Sequence, residues 1–310
     1  MLHRMFAIFF DILAPMLFIV GLGALVHHFR AFQLQTMVRL NLYFFVPVFL
    51  FIRILESPLS WREIGGIGIT VVVPMLLVGL PLYGILRRYG ARGSTIAAMM
   101  VGGLLFNAGF VGIPVAELAY GPAGGQVQAL VVMFINMMIF FVGYSVVALG
   151  QGHGVWSAIS GYFRMPMIYA IGAALAMREM QWTVPGWIDT ALQMIAAGMV
   201  PVALVTLGAQ LAVRARWPVW RIVGPVIALK LLILPAVTAV VAWLLGLWPW
   251  PAAQLILGAA TPTAINTLLL TIELDGDADT VAECVFWTTL ASALTLTLTL
   301  LCLDTLGAGP

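Results

Sequence analysis

The chain reads as an all-α polytopic membrane protein, and three observations lead there. It is 63% hydrophobic with 8% charged residues and has a mean hydropathy of +1.08, values that the surface of a water-soluble protein of this length does not sustain. Its apolar stretches are continuous, each close to the roughly 20 residues that a helix needs to cross a roughly 30 Å hydrocarbon core, whereas barrel strands alternate over segments of roughly ten. The longest polar interruption mid-chain, GQGHGVWSAISGYFR at 150–164, is too short for an extramembrane domain.

Taken in order, apolar segments fall at 6–26, 36–55, 64–86, 95–118, 126–149, 165–181, 187–212, 221–245, 251–272 and 280–303, which predicts ten transmembrane helices. The first, MLHRMFAIFFDILAPMLFIVGLGALV, starts with charge and lacks a small-residue cleavage site, so it is read as a span rather than a removed signal. Basic residues divide unevenly between alternate sides. Arg30, Arg39, Arg87, Arg88, Arg92, Arg164, Arg214, Arg216 and Arg221 fall on one, and Arg4, Arg53, Arg62 and Arg178 on the other. The richer side is expected in the cytoplasm, with both termini outside it. Five helices per half, at 1–150 and 151–310, then make any duplication an inverted one. FFVPVFLF around Pro47 resembles GMVPVALV around Pro201, and Pro15 has a counterpart in Pro166.

The fourth and ninth segments carry the densest helix breakers: Asn107, Gly109, Gly112 and Pro114 in one, Thr261, Pro262, Thr263 and Asn266 in the other. Proline removes an N–H and crowds the carbonyl four residues back, while glycine relaxes the backbone, so both segments are expected to unwind at corresponding positions. Irregular backbone at membrane depth survives only where protein or a watery cavity satisfies it, which points to a substrate site. Half-helix N-termini aimed at one point attract an anion such as a carboxylate, and Asn107 and Asn266 add neutral donors. The competing reading is close packing through Gly109 and Gly112 with a simple kink at Pro114.

The run N-A-G-F-V-G-I-P at 107–114, followed by Y-G at 120–121, resembles the fourth-helix signature of the auxin efflux carrier family, whose bacterial members include transporters of malonate and other small organic acids. P-T-A-I-N at 262–266 and the Thr-rich WTTLASALTLTLTL resemble that family's ninth and tenth helices, and FFVPVFLF its second. The resemblance spans the chain. It implies two inverted five-helix repeats whose helices four and nine cross at broken centres, with helices one, two, six and seven as a scaffold, often dimeric, and helices 3–5 and 8–10 as a transport domain. By the same resemblance Asn107 contacts substrate and Pro262 marks the second arm. The chain lacks the long central loop of plant members and has Phe106 where they place a proline, which favours a bacterial-type carrier over an auxin carrier.

Other residues enter as candidates. Asn136, mid-span in FINMMIFF, must face the bundle, as a substrate contact or as an interhelical hydrogen bond. Thr288, Ser292, Thr295 and Thr299 form one polar stripe, read as packing through bonds to their own helix. Lys230 lies well inside a span, and snorkelling or a structural ion pair is the reading preferred over a functional one. Asp11 and Glu117, near span ends, are candidate proton or cation sites. The cluster Glu273, Asp275, Asp277, Asp279 and Glu283 lacks calcium-loop spacing and is read as a solvated turn. His3, His27, His28 and His153 lack metal-ligand spacing, and Cys284 and Cys302 are read as packing residues.

The expected function is secondary active transport of a small organic anion, a carboxylate or dicarboxylate, by alternating access at the helix four and nine crossing. The substrate-binding candidates are Asn107, Gly109, Pro114, Asn136, Thr261, Pro262, Thr263 and Asn266. Alternatives are export of amino acids or other small amphipathic metabolites, a channel, or an integral-membrane enzyme, the last disfavoured by the lack of HExxH, GxSG or paired intramembrane aspartates. With no nucleotide-binding loop, energy is expected from gradients, proton or sodium being left open, and no cofactor or metal is expected. The expected setting is a bacterial cytoplasmic membrane, with a homodimer formed through the scaffold helices and no nucleic-acid partner.

Overall fold

In the computed structural model, residues 6–151, 165–213 and 217–309 are described. The 152–164 part of the central connection, together with His3, His153, Arg4, Arg164, Arg214 and Arg216, lies outside them. The elements are almost entirely helical: α1 Phe6–Arg30, α2 Leu34–Leu55, α3 Trp61–Arg88, α4 Gly93–Leu104, α5 Ala108–Ala148, α6 Pro166–Glu179, α7 Gly186–Val213, α8 Trp220–Leu244, α9 Ala252–Ala260, α10 Asn266–Glu273 and α11 Ala278–Thr305. Among the described residues seven helices are long and apolar enough to cross a membrane, fewer than the ten segments read from hydropathy. The difference has local causes. The predicted fourth segment ends as a helix at Leu104 and resumes at Ala108, from where α5 runs on through a bend at Gly121. The ninth is divided into α9 and α10, and α6 has only 14 residues.

Proline shapes the long helices in a regular way. Wide π-helical turns occupy Phe9–Leu13, Asn41–Phe45, Ala108–Gly112 and Leu229–Ile233, each ending two residues before Pro15, Pro47, Pro114 and Pro235 respectively. A proline ring crowds the carbonyl four residues back and has no N–H to offer it; widening the preceding turn relieves both. At Gly121 the backbone takes φ 66°, ψ −160°, a conformation that a side chain resists, and Pro122 follows to start the next helical stretch.

Among the described residues the most extensively packed helix pair is α1 with α7. A Cβ on Gly23 would strike the Val205 backbone and one on Gly208 the Val20 backbone, so each glycine admits the other helix at its crossing. The pair α2 with α6 is also closely packed. The two pairs exchange when the first five predicted spans are mapped onto the second five. So do others: α3 with α4 and α8 with α9, α4 with α11 and α9 with the later part of α5. One relation is unequal. α2 packs on α5, whereas its counterpart α7 faces α10 across a cavity of about 280 Å³ lined by Leu207, Gln210, Leu211, Ile265 and Leu268 together with residues of α2 and α11.

The outer surface is apolar, with Phe18, Leu77, Leu80, Met194, Trp243, Leu290 and Leu294 exposed. Such an area cannot face water. Exposed Trp61, Trp182 and Trp187 lie at helix ends bearing Arg62 and Arg178, and Trp217 and Trp220 beside Arg221, the placement of interfacial aromatic belts. The chain is a multi-pass membrane protein.

Candidate functional site: the crossing of two interrupted helices

Residues 105–107 and 261–265 lie outside regular helix and pair with one another. Phe106 and Thr263 form an antiparallel bridge, in which Asn107 N–H donates to Pro262 O at 2.8 Å and Ala264 N–H donates to Leu105 O at 2.9 Å. Each unwound strand thus satisfies the backbone groups that the other exposes, which is what makes irregular backbone tolerable in an apolar interior. Side chains close the rest. Thr263 Oγ1 donates to Gly102 O at 2.6 Å, capping the end of α4, and Thr263 N–H donates to Thr288 Oγ1 at 3.1 Å. Thr261 Oγ1 turns back to Gly258 O at 2.7 Å.

Asn107 starts the second arm. Its Oδ1 accepts the Phe110 N–H at 3.1 Å, the N-cap arrangement, and its Nδ2 is buried without a partner. At the first position of α10, Asn266 has a buried Oδ1 likewise without a partner. Asn107, Asn136, Asn266 and Gly109 all line one cavity of about 20 Å³, closed by Leu42, Val46, Phe106, Phe110 and Ile139 among others, room for about one water molecule. A Cβ on Gly109 would meet open space. The structure therefore gathers the three asparagines and Gly109 at one point, where α5 and α10 begin. The other four predicted residues do not line this cavity: Thr261, Pro262 and Thr263 belong to the paired crossing, and Pro114 follows the wide turn Ala108–Gly112.

The accompanying candidates divide. Asn136 Nδ2 donates to Val132 O at 2.8 Å within its own helix while the residue lines the cavity. Thr288, Ser292, Thr295 and Thr299 bond carbonyls of their own helix, as packing requires, though Thr288 also receives Thr263. Glu117, a candidate proton or cation site, is paired with Arg53 at 2.5 Å, tying α5 to α2. Asp11 is exposed. Asp277 caps α11 through Thr280 N–H at 3.1 Å, and Glu283 accepts the Val219 N–H at 3.0 Å; the Glu273 side chain lies outside the described ones. Cys284 is buried, but Cys302 is exposed, so only the first packs within the chain.

Lys230 is the larger correction. It neither snorkels nor forms an ion pair among the described residues: it is 0% exposed, its Nζ donates to Ala259 O at 2.5 Å, and it lies 5.0 Å from the centre of the Phe106 ring. Sequence reasoning also passed over Gln128 and Gln254, both fully buried, where Gln128 Nε2 donates to Gln254 O at 2.7 Å and three side-chain polar atoms have no partner. A signal for them was available, since an amide inside an apolar span is as costly at 128 and 254 as at 136.

A helical bundle in lipid, with two interrupted spans meeting around a small polar cavity, is the architecture of a membrane transporter. The sequence profile of the family described as membrane transport protein matches residues 155–300. A protein of Methanothermobacter thermautotrophicus described as an uncharacterized transporter is 25% identical over 272 residues, covering 85% of this chain and 87% of that one. Both matches support a membrane transporter, in keeping with the motifs at 107–114 and 262–266 that resemble the auxin efflux carrier family.

Proposed function

We propose that the protein is a secondary active carrier of a small organic anion, a carboxylate or dicarboxylate, which binds where α4–α5 crosses α9–α10 and is exposed to the two sides of the membrane in turn. The observation that carries this reading is the joint lining of one cavity by Asn107, Asn136 and Asn266, two of them at the starts of half-helices. Asn107 Nδ2 is a free donor; rotation of the Asn266 amide would add a second; the positive ends of α5 and α10 add partial charge. None of these groups is acidic, so the site suits an oxyanion better than a cation.

Alternating access is supported by the unequal halves of the packing. On the side of Arg53, α2 is bound to α5 by the Glu117 ion pair, while on the other side α7 and α10 stand apart across the larger cavity. An inverted pair of five-helix repeats, 1–150 and 151–310, accounts for the exchange of helix pairs between halves, and reversal of the inequality would reverse access. We place the Arg-rich ends in the cytoplasm of a bacterial cell with both termini outside, and α1, α2, α6 and α7 in a scaffold that pairs with a second copy. Proton or sodium gradients drive the cycle.

The test is flux in proteoliposomes against a panel of mono- and dicarboxylates, amino acids and indole acids, with imposed proton or sodium gradients. Saturable uptake with counterflow is expected for at least one carboxylate, and at least a tenfold loss in Asn107→Ala and Pro262→Ala variants that remain monodisperse. Normal uptake of every substrate by both variants, or a preference for cations, would overturn the proposal.

A further inference from the structure

Lys230 is a charged group that the transport reading leaves unused. It lies in the wide turn Leu229–Ile233 of α8, which packs against α4, α9 and α11. Its ammonium donates to the carbonyl of Ala259, in the last turn of α9, and lies against the face of Phe106, the residue that follows the end of α4 by two. Its neighbour Leu229 covers Gly103, so the same turn of α8 touches the C-terminal ends of both half-helices. Among the described residues no carboxylate pairs with it.

The electrostatics of the crossing favour such a group at the two helix C-termini. Two helices end there and two begin there, and each end carries roughly half an elementary charge, negative at C-termini and positive at N-termini. The ends of α4 and α9 therefore present about one negative charge in an apolar interior, where an uncompensated charge is strongly disfavoured. A carbonyl oxygen and an aromatic face are both cation-binding groups. Lys230 supplies the cation from within the chain, leaving the positive ends of α5 and α10 uncancelled on the cavity side, with Phe106 in contact with the ammonium and also lining the cavity.

We propose that the Lys230 ammonium is a tethered counter-cation for the C-terminal ends of α4 and α9, filling a place that a free monovalent cation would otherwise have to occupy, and that it thereby biases the cavity toward anions. Lys230 is a positioning residue, acting through the half-helix ends rather than by touching the solute. The proposal rests on the anion-carrier reading for its second clause and on the geometry of α8, α9 and Phe106 for its first.

The full-length protein tests it in proteoliposomes with four chains: wild type, Lys230→Met, Lys230→Arg and Lys230→Ala. Of the two candidate driving gradients the proposal selects protons, so wild-type uptake should be equal in sodium, potassium and N-methylglucamine at fixed pH. Lys230→Met should lose at least tenfold in N-methylglucamine and regain activity with sodium or potassium, while Lys230→Arg, which keeps the charge, should retain more activity than Lys230→Met. Propylammonium replaces the excised part of the side chain, so it should restore Lys230→Ala and raise its melting temperature in detergent, and propanol should do neither. A strict need for sodium or potassium in the wild type would overturn the proposal. So would unimpaired Lys230→Met in N-methylglucamine, or a response of Lys230→Ala to both additives or to neither. If the wild type moves only cations or neutral solutes, the anion reading falls. The melting temperatures of Lys230→Ala with propylammonium and propanol then still judge the counter-cation separately.

Discussion

Gly109 and Thr263 separate two duties within a few ångströms of the crossing. Gly109 has open space where a Cβ would stand, in a cavity of about 20 Å³. Gly109→Ala should therefore fold as well as the wild type and still transport at least tenfold less, because one methyl group consumes most of the room; equal melting temperatures with reduced uptake are the expected pair of readings. Thr263 does the opposite work. Its hydroxyl satisfies Gly102 O at the end of α4, and Thr263→Val leaves that carbonyl buried and unpaired at a cost of about 1–3 kcal/mol. Thermal unfolding in detergent should register the loss, and an unchanged melting temperature would mean that the carbonyl finds another donor. Asn107 was legible in the sequence because an amide beside two glycines in an apolar run is costly unless the bundle gives it something polar to meet. The assignment of Thr263 to the frame was not legible, since nothing in PTAIN says which way a hydroxyl turns.

Among elements, the α1–α7 crossing is decided by two glycines that the sequence does not distinguish from their neighbours. In an exposed helix, Gly to Ala stabilises by about 1 kcal/mol, and Gly21→Ala, with nothing near its Cβ, should follow that rule. Gly208→Ala places its Cβ against the Val20 carbonyl and Gly23→Ala against that of Val205; overpacking of about 1–3 kcal/mol outweighs the helix-propensity gain. The melting temperature should fall for Gly23 and Gly208 and hold or rise for Gly21. The wide turns ahead of Pro15, Pro47, Pro114 and Pro235 follow from local chemistry, and the prolines are visible in the sequence. Local chemistry alone suggests a weakened helix at each, whereas in three of the four the helix continues through a broadened turn, because an i→i+5 bond gives the crowded carbonyl a donor.

At the scale of the molecule, the Arg53–Glu117 pair joins α2 to α5 on one side while α7 and α10 are separated on the other. If that pair is the closed side of the cycle, Glu117→Gln weakens it, and a cysteine placed at Gly109 in a background with Cys302→Ser should react faster with an impermeant maleimide added from the Arg53 side. An unchanged rate would show that closure depends on apolar packing around the pair. A partly exposed ion pair contributes little stability, so a kinetic readout is the appropriate one.

Composition and periodicity alone establish lipid as the solvent, helix as the secondary structure and a helix interruption within 105–114 and within 261–266, because each follows from the local cost of burying polar backbone or of placing proline and glycine in a helix. Which side chains meet across the bundle does not follow from local cost. Asn107, Asn136 and Asn266 share a cavity, Lys230 reaches the end of α9 and Glu117 finds Arg53 only because helices far apart in sequence are packed together. Those juxtapositions depend on the geometry of helix crossings, set by many weak contacts at once, and no single stretch of sequence encodes them.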